Sequence, residues 1–403
     1  MQISGKESLS IYNNNHFYRY LQYPASILLS YHGREPFHLF LKKYFSSNKK
    51  HGAKDRKLIT ALCYNYFRLG YGASIEADQN EKFLLATFLC EKNSSLFLEF
   101  FRPGWNTSIS LLLRDKLKII NKEFNTEKIF PFPDELSNEI NFYQFNLSFL
   151  IQPKLFIRIR PGFEQIVINK IKSAHFLFEE LGESCIAFFN NEKVSDIIKI
   201  DKEAVVQDYN SQKTLDLLRP LAENNKSEIS IWDCCAGSGG KSILAFDLFK
   251  QIHLTVNDRR KSILENLKLR FSKAGITKYK LVAADLEKSP VQIPELFDII
   301  IADVPCTGSG TWARTPEQLN FFKKNEIEKY ALLQTKIIEN ALAYLKGDGD
   351  LLYITCSVFK KENEDNVVFF QEKYKLNLLA SEYLKGYEIQ ADTLFVALFK
   401  KSE

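Results

Sequence analysis

The chain has 403 residues, 45% of them hydrophobic and 26% charged, with a formal net charge of +5. That length exceeds what one hydrophobic core organises, so two or three domains are expected, in an ordinary globular composition. The slight basic excess is compatible with a polyanionic partner and does not require one.

No apolar run approaches the roughly 20 residues that a bilayer span needs, so no membrane partner is expected. The N-terminus lacks the charged, apolar and small-residue order of a secretory signal. Seven cysteines form no CxxC pair, which argues against a disulfide framework and against a bound metal. The expectation is a cytoplasmic protein with free thiols, taken as a monomer by default. The 33 Phe residues recur mostly at helical or strand spacing and read as core.

Over residues 1–135, segments such as ASILLSYHGREPFHLFLKKYF and DRKLITALCYNYFRLGYG place apolar residues three and four apart. This predicts amphipathic helices and an all-α domain. A polar stretch over 121–137, with Pro131 and Pro133, reads as a linker. A small α/β module is expected over 150–205. There LFIRIRPG alternates like a half-buried strand, EQIVINKIKSAHFLFEEL reads as a helix, and CIAFF and VSDIIKI read as short strands.

Over 206–403 the texture changes to apolar strands ending in small or polar residues: ISIWDCC, HLTVND, YKLVAAD, DIIIADV and DLLYITCS. Helical stretches separate them, the longest being EQLNFFKKNEIEKYALLQTKIIENALAYL. This alternation predicts an α/β fold with a doubly wound, mostly parallel sheet. Ligands of such sheets sit at the carboxyl ends of the strands, where this chain places Asp233, Asp258, Asp285, Asp303 and Cys356.

Three constellations stand at those ends. The first is the Gly-rich turn Asp233-Cys-Cys-Ala-Gly-Ser-Gly-Gly-Lys-Ser242, whose glycines let a backbone approach a ligand at a helix N-terminus. A P-loop would need Gly in place of Cys235, and a dinucleotide fingerprint would need Gly in place of Ser242. A loop for S-adenosylmethionine (SAM) needs only the Gly-rich turn and an acid at the next strand end. Asp258 supplies that acid for the ribose hydroxyls, and Asp285 stands one strand further on to reach the adenine. Either Asp alone reads equally well as a helix cap; acids in register at successive strand ends do not.

The second constellation is Asp303-Val-Pro-Cys306-Thr-Gly-Ser-Gly310 and the third is Thr355-Cys356-Ser357. Cys63, Cys90 and Cys185 read as small core hydrophobes. Two cysteines beside Asp, Ser and Gly at a ligand edge favour thiol chemistry instead. A SAM enzyme needs a thiolate when the methyl acceptor is carbon-5 of cytosine. Addition of sulfur to carbon-6 makes the ring an enamine and carbon-5 nucleophilic, and a second group must then help remove the carbon-5 proton and expel the sulfur. Asp303 would bond to the base edge and hold a proton at ring nitrogen-3.

These motifs, with VVQDYNSQ upstream and ITCSVFKKENEDNV downstream, resemble the Sun/Fmu-type (RsmB-like) RNA cytosine-5 methyltransferases. The resemblance implies a Rossmann-like SAM-dependent domain over 206–403. It also implies a small RNA-binding (RRM-like) module over 150–205 and a NusB-like helical domain over 1–135. It makes Cys356 the nucleophile and Cys306 the residue that assists release. SAM would be held by Cys235, Ala236, Gly237, Ser238, Gly239, Gly240 and Lys241 together with Asp258, Asp285 and Asp303. The substrate implied is RNA, 16S ribosomal RNA first and transfer RNA second, with the target cytosine unpaired or flipped.

Two departures stand out: the family usually has Ala-Pro where this chain has Gly237-Ser238, and Ala313 precedes Arg314 where a second basic residue is usual. Phosphate contacts are expected from Arg158 and Arg160 on one strand face, from Arg259 and Arg260 in a basic stretch, and from Arg314. A P-loop nucleotide-binding protein is the alternative from another class, and it would leave both edge cysteines without a role.

Overall fold

The computed structural model describes residues 5–402 apart from 75–77, 121–123, 190–191, 225–227, 250, 289–292 and 294. The chain divides into two compact units. One comprises Met1–Pro133, Asn141–Gln152 and Trp312–Lys323; the other comprises Asp134–Ile140, Pro153–Thr311 and Lys324–Glu403.

The first unit is helical. Its helices include Gly5–Ser30, Phe37–Ser47, Ala53–Arg68, Gln79–Cys90, Leu113–Ile120 and Phe142–Ser148. Two buried cations close it. Arg68 donates to the carbonyls of Phe149 (2.9 Å) and Ile151 (3.4 Å). Lys116 donates to the carbonyls of Phe88 (2.9 Å) and Glu91 (2.5 Å). Phe88 and Glu91 lie at the end of helix Gln79–Cys90, where carbonyls lack helical partners and a cation also meets the negative dipole end.

The stretch expected to be a linker is packed instead, though its residues 121–123 lie outside the described part. Phe130 is buried and contacts the rings of Phe145, Phe149 and Trp312 at 5.2–5.9 Å between centroids. Aromatic burial outweighs the turn-forming prolines there.

The second unit holds two sheets. The smaller is antiparallel, in the order β2-β3-β1-β4, from strands β1 (Leu155–Ile159), β2 (Phe178–Glu180), β3 (Cys185–Phe188) and β4 (Ala204–Val206). The helix expected over 164–181 spans only Glu164–Ser173. His175 takes φ +57°, ending the helix, and the apolar residues that follow feed β2. VSDIIKI is not a strand: Val194–Asp196 forms a turn of 3₁₀ helix whose Val194, with Ile198, fills the module's core.

The larger sheet has the order β10-β11-β9-β8-β5-β6-β7. Its strands are β5 (Ile229–Asp233), β6 (Ile252–Asn257), β7 (Lys280–Val282), β8 (Phe297–Asp303), β9 (Leu345–Thr355), β10 (Leu376–Leu384) and β11 (Leu394–Lys401). β5 to β9 run parallel, and β11 and β10 add an antiparallel margin. The expected doubly wound, mostly parallel sheet is therefore present. Its central strands are nearly continuous apolar runs because helices cover both faces. Ile231, Val256, Ile301, Leu352 and Ile354 pack in one core with Leu264, Leu267 and Phe271.

Those last three residues lie on helix Lys261–Ala274 at three- and four-residue spacing. Gly275 ends the helix at φ +76°, with Ile276 N–H donating to the Phe271 carbonyl at 2.9 Å, the closure that a left-handed residue permits. The long helix expected over 317–345 is broken into Gln318–Phe321 and Asn325–Leu342. Its first part belongs to the helical unit and the rest to the sheet unit, so one apolar period runs across two bodies.

Candidate active site

Strand order reverses between β5 and β8, so the loops leaving those strands diverge and open a crevice at their carboxyl ends. A cavity of about 480 Å³ lies there. Of the predicted site residues, Cys235, Gly237, Asp258, Arg259, Arg260, Asp285, Asp303, Cys306 and Cys356 line it; Pro305, Tyr330 and Leu333 complete its apolar wall.

The Gly-rich loop begins at buried Asp233. Burial pushes its carboxyl up to about 7, against a hydrogen bond from Ser242 Oγ (2.6 Å), and its Oδ1 has no hydrogen-bond partner among the described residues. Ala236 N–H donates to the Asn257 carbonyl and Gly239 N–H to the Ala236 carbonyl, each at 2.8 Å, folding the loop back on β6. Gly239 takes φ +84°, and a Cβ there would come 2.7 Å from the Phe271 ring, so this position requires glycine.

Gly237 N–H donates to Asp258 Oδ2 at 3.1 Å. Asp258 also accepts from the Arg260 backbone N–H (2.8 Å) and from its Nε and Nη2 (3.0 Å each). Burial opposes ionisation of Asp258, but these donors outweigh it and hold the carboxyl below the usual range. Asp285 stands on the cavity wall one strand further along, 3.7 Å from Lys288 Nζ.

Ala236, Ser238, Gly239, Gly240 and Lys241 shape the loop from behind the cavity lining. Lys241 is turned inward, with Nζ 2.7 Å from Asp303 Oδ2. Burial would lower its pKa, yet Asp303 and then Cys356 outweigh burial, so its charge is retained.

The two thiols meet. Cys306 Sγ accepts the Cys356 backbone N–H at 3.3 Å. A side-chain hydrogen bond to Cys306 and burial push the Cys356 thiol well above its ordinary pKa, while the Lys241 charge pulls it down. Their loops are zipped by residues that motif reading passed over. Glu362 is fully buried and accepts from Thr307 N–H (2.9 Å), Thr307 Oγ1 (2.6 Å), Gln334 Nε2 (2.8 Å) and Ser357 Oγ.

Glu362 therefore grips the loop of Cys306 and the loop of Cys356 together; burial raises its pKa against these donors. Gly310 N–H donates to the Cys356 carbonyl at 2.8 Å, and a Cβ on Gly310 would lie 2.0 Å from the Thr393 carbonyl oxygen. The available signal for Glu362 was an acid five residues beyond Ser357. In sequence it is one of several charges in KKENED, with nothing local to mark it as buried.

The expectation for Arg158 and Arg160 is corrected. Both are buried, and their guanidiniums each lie 2.7 Å from the Asp247 carboxylate. They do share a strand face, but that face turns toward helix Gly240–Leu248, where the Asp247 carboxylate pairs with both. The basic stretch 259–280 is likewise laced with acids, including Arg259–Glu287, Lys268–Glu265 and Lys280–Glu295. Arg314 is half-buried and belongs to the helical unit, in segment Trp312–Lys323.

Comparison with known proteins gives a consistent picture. Residues 218–397 match the family described as 16S rRNA methyltransferase RsmB/F. Ribosomal RNA small subunit methyltransferase B of Shewanella oneidensis is 32% identical over 172 residues, 42% of this chain and 39% of that protein. Ribosomal RNA small subunit methyltransferase F of Shewanella loihica is 28% identical over 170 residues, 42% of this chain and 35% of that protein. The match thus spans well under half the length of these curated relatives. Among solved structures, PH0851 superimposes with a TM-score of 0.67 at 19% identity, over 91% of this chain and 95% of that one. NSun6 from Pyrococcus horikoshii, crystallised with SFG, gives a TM-score of 0.57 at 17% identity over 67% and 98%. These two likenesses establish the fold.

Proposed function

Because residues 218–397 of this chain match the RsmB/F methyltransferase family, we propose that the protein methylates carbon-5 of a cytosine in RNA, 16S ribosomal RNA in the first place. The observation that carries this reading is the contact of Cys306 and Cys356 at the carboxyl edge of the sheet, beside Asp303 and Lys241. A methyltransferase acting on nitrogen or oxygen needs no thiol there.

SAM is the proposed methyl donor, and the cavity fits it. A side chain added at Gly237 would meet only open space, and Asp258 and Asp285 face the cavity from successive strand ends. Gly237 and its neighbours would hold the methionine part, Asp258 the ribose and Asp285 the adenine. Bound there, SAM supplies an electrophilic methyl group.

The chain's own residues carry the remaining chemistry. Cys356 gives its proton to solvent and its sulfur adds to carbon-6. A sulfur–carbon bond forms, the carbon-5 to carbon-6 double bond opens, and its electron pair makes carbon-5 nucleophilic. Lys241 stabilises the thiolate, and Asp303 keeps a proton at ring nitrogen-3 so that negative charge does not accumulate on the ring. Once carbon-5 is methylated, its proton passes to the Cys306 thiolate, formed by loss of that thiol's own proton to solvent. The double bond re-forms and the bond to Cys356 breaks.

The small sheet module and the helical unit are proposed to bind RNA, in the manner of RRM-like and NusB-like domains. The target cytosine leaves its stack to reach Cys356. A monomer working in the cytoplasm is the corresponding cellular reading.

The test is transfer of labelled methyl from SAM to unmodified ribosomal RNA. Cys356→Ala should abolish transfer, and unchanged activity removes its assignment as nucleophile. Mapping 5-methylcytosine in RNA from cells with and without the protein identifies the target, and a site in transfer RNA alone overturns the ribosomal assignment. Tight ATP binding without SAM binding in calorimetry overturns the cofactor.

A further inference from the structure

The Gly-rich loop carries two residues with positive φ, Gly237 (+53°) and Gly239 (+84°), on either side of Ser238. Such a segment has much conformational freedom to lose and little of its own to hold it. Its restraint comes from outside. Arg270, on helix Lys261–Ala274, donates from Nη1 to both the Ser238 carbonyl (3.0 Å) and Ser238 Oγ (2.9 Å). Proline at position 238 would lack that hydroxyl, so this serine creates a tether of its own.

The guanidinium is itself fixed. Its other edge, Nε and Nη2, faces Asp201 Oδ1 at 2.9 Å. Asp201 belongs to the turn that leads into β4 of the small sheet module, and its side chain is only 5% exposed. Its backbone is also held, at φ +68°, with N–H donating to Ala204 O (2.7 Å) and its carbonyl accepting from Arg160 Nη1 (3.2 Å). Arg160 in turn reaches Asp247 on the helix that the Gly-rich loop begins. The module is therefore linked to the loop at Ser238, through Arg270, and to the helix that follows the loop at Asp247. Arginine suits the task because its planar fork presents donors in a fixed geometry to two partners at once.

We propose that Arg270 is a positioning residue that makes order in the cofactor loop depend on Asp201 of the small sheet module, so that the module governs affinity for SAM. The inference rests on the SAM reading above. Asp201 lies behind the loop and lines no part of the cavity, so its effect must pass through the guanidinium.

The experiment uses the full chain with Asp201→Asn, Arg270→Lys and Ser238→Ala. Asparagine also tolerates positive φ and keeps the turn while removing the charge. Calorimetry with SAM should show roughly ten-fold weaker binding for Asp201→Asn and for Arg270→Lys. The double variant should be no weaker than either single one. In steady-state assays KM for SAM should rise while kcat holds, a split that general damage to the fold would not give. Amide hydrogen exchange over 235–240 in the ligand-free protein should quicken in both variants.

Ser238→Ala, which removes only the hydroxyl acceptor, should quicken the same amides to a smaller extent, and it supplies the test should the other two fail to fold. Unchanged exchange over 235–240 in every folded variant overturns the proposal. So does wild-type-like SAM affinity in Asp201→Asn and Arg270→Lys. If the wild-type chain itself does not bind SAM, the cofactor reading fails, and the exchange result alone decides whether the tether exists.

Discussion

At the scale of single residues, the proposed mechanism assigns different roles to two sulfurs that share their surroundings. Cys306→Ala should leave the nucleophile in place and remove the group that takes the carbon-5 proton, so a covalent protein–RNA adduct should accumulate. A denaturing gel would reveal it as a slower band that nuclease removes; its absence, with full turnover, contradicts the assignment. Glu362 touches neither sulfur, yet its carboxylate accepts four hydrogen bonds from the surrounding segments. Glu362→Gln keeps the size but turns one acceptor into a donor facing donors. Displacement of the thiols by a fraction of an ångström should cost about 100-fold in kcat, with SAM affinity in calorimetry unchanged.

At the scale of elements, the parallel strands were legible because burial on both faces leaves a run of branched apolar residues that ends abruptly at a polar one. Hence Asp258, Asp285, Asp303 and Cys356 read as strand-end residues from the sequence itself. What lay outside sequence reach depended on contacts distant in the chain. Alternation put Arg158 and Arg160 on one face, but nothing local said that Asp247 would face them. Periodicity carried the helix through Phe322–Lys324, since two apolar stripes belonging to different bodies happened to share a phase.

Gly310 is a similar case, because its constraint is the Thr393 carbonyl, distant in the chain. Gly310→Ala must push one of these backbones aside. Thermal or urea unfolding should show a loss of roughly 1–3 kcal/mol, accompanied by lower methyl transfer because the backbone N–H of residue 310 is displaced from the Cys356 carbonyl. In the helical unit, Lys116→Met should cost roughly 1–3 kcal/mol by leaving buried carbonyls unsatisfied; unaltered unfolding would show that water replaces the ammonium.

At the scale of the whole molecule, the acid at the root of the Gly-rich loop links folding to pH. Asp233 has its carboxyl pushed up to about 7 by burial, whereas an exposed aspartate titrates near 4. Between these values the folded chain retains a proton that the unfolded chain releases. The resulting contribution to stability is complete below about pH 4 and is lost as pH rises through about 7. Asp233→Asn removes it. In urea titrations from pH 4 to 7, the variant's stability should fall less with pH than the wild type's, by up to about 1.4 kcal/mol per pH unit. Parallel curves would mean that Asp233 is ionised in the fold.

The ordering of the larger sheet also bears on how the protein behaves when concentrated. A sheet that is not closed into a barrel has two margins with unpaired amides and carbonyls, each a template for a strand from another molecule. Here one margin is β7, only three residues long. The other is β10, whose register slips between Leu378 and Ala380 and which carries Glu382 on its exposed side. A short strand offers too few bonds, and a bulge with a charge bends and solvates the long one. The same β11 and β10 that extend the sheet past Cys356 thus end it in a form that resists growth into aggregates.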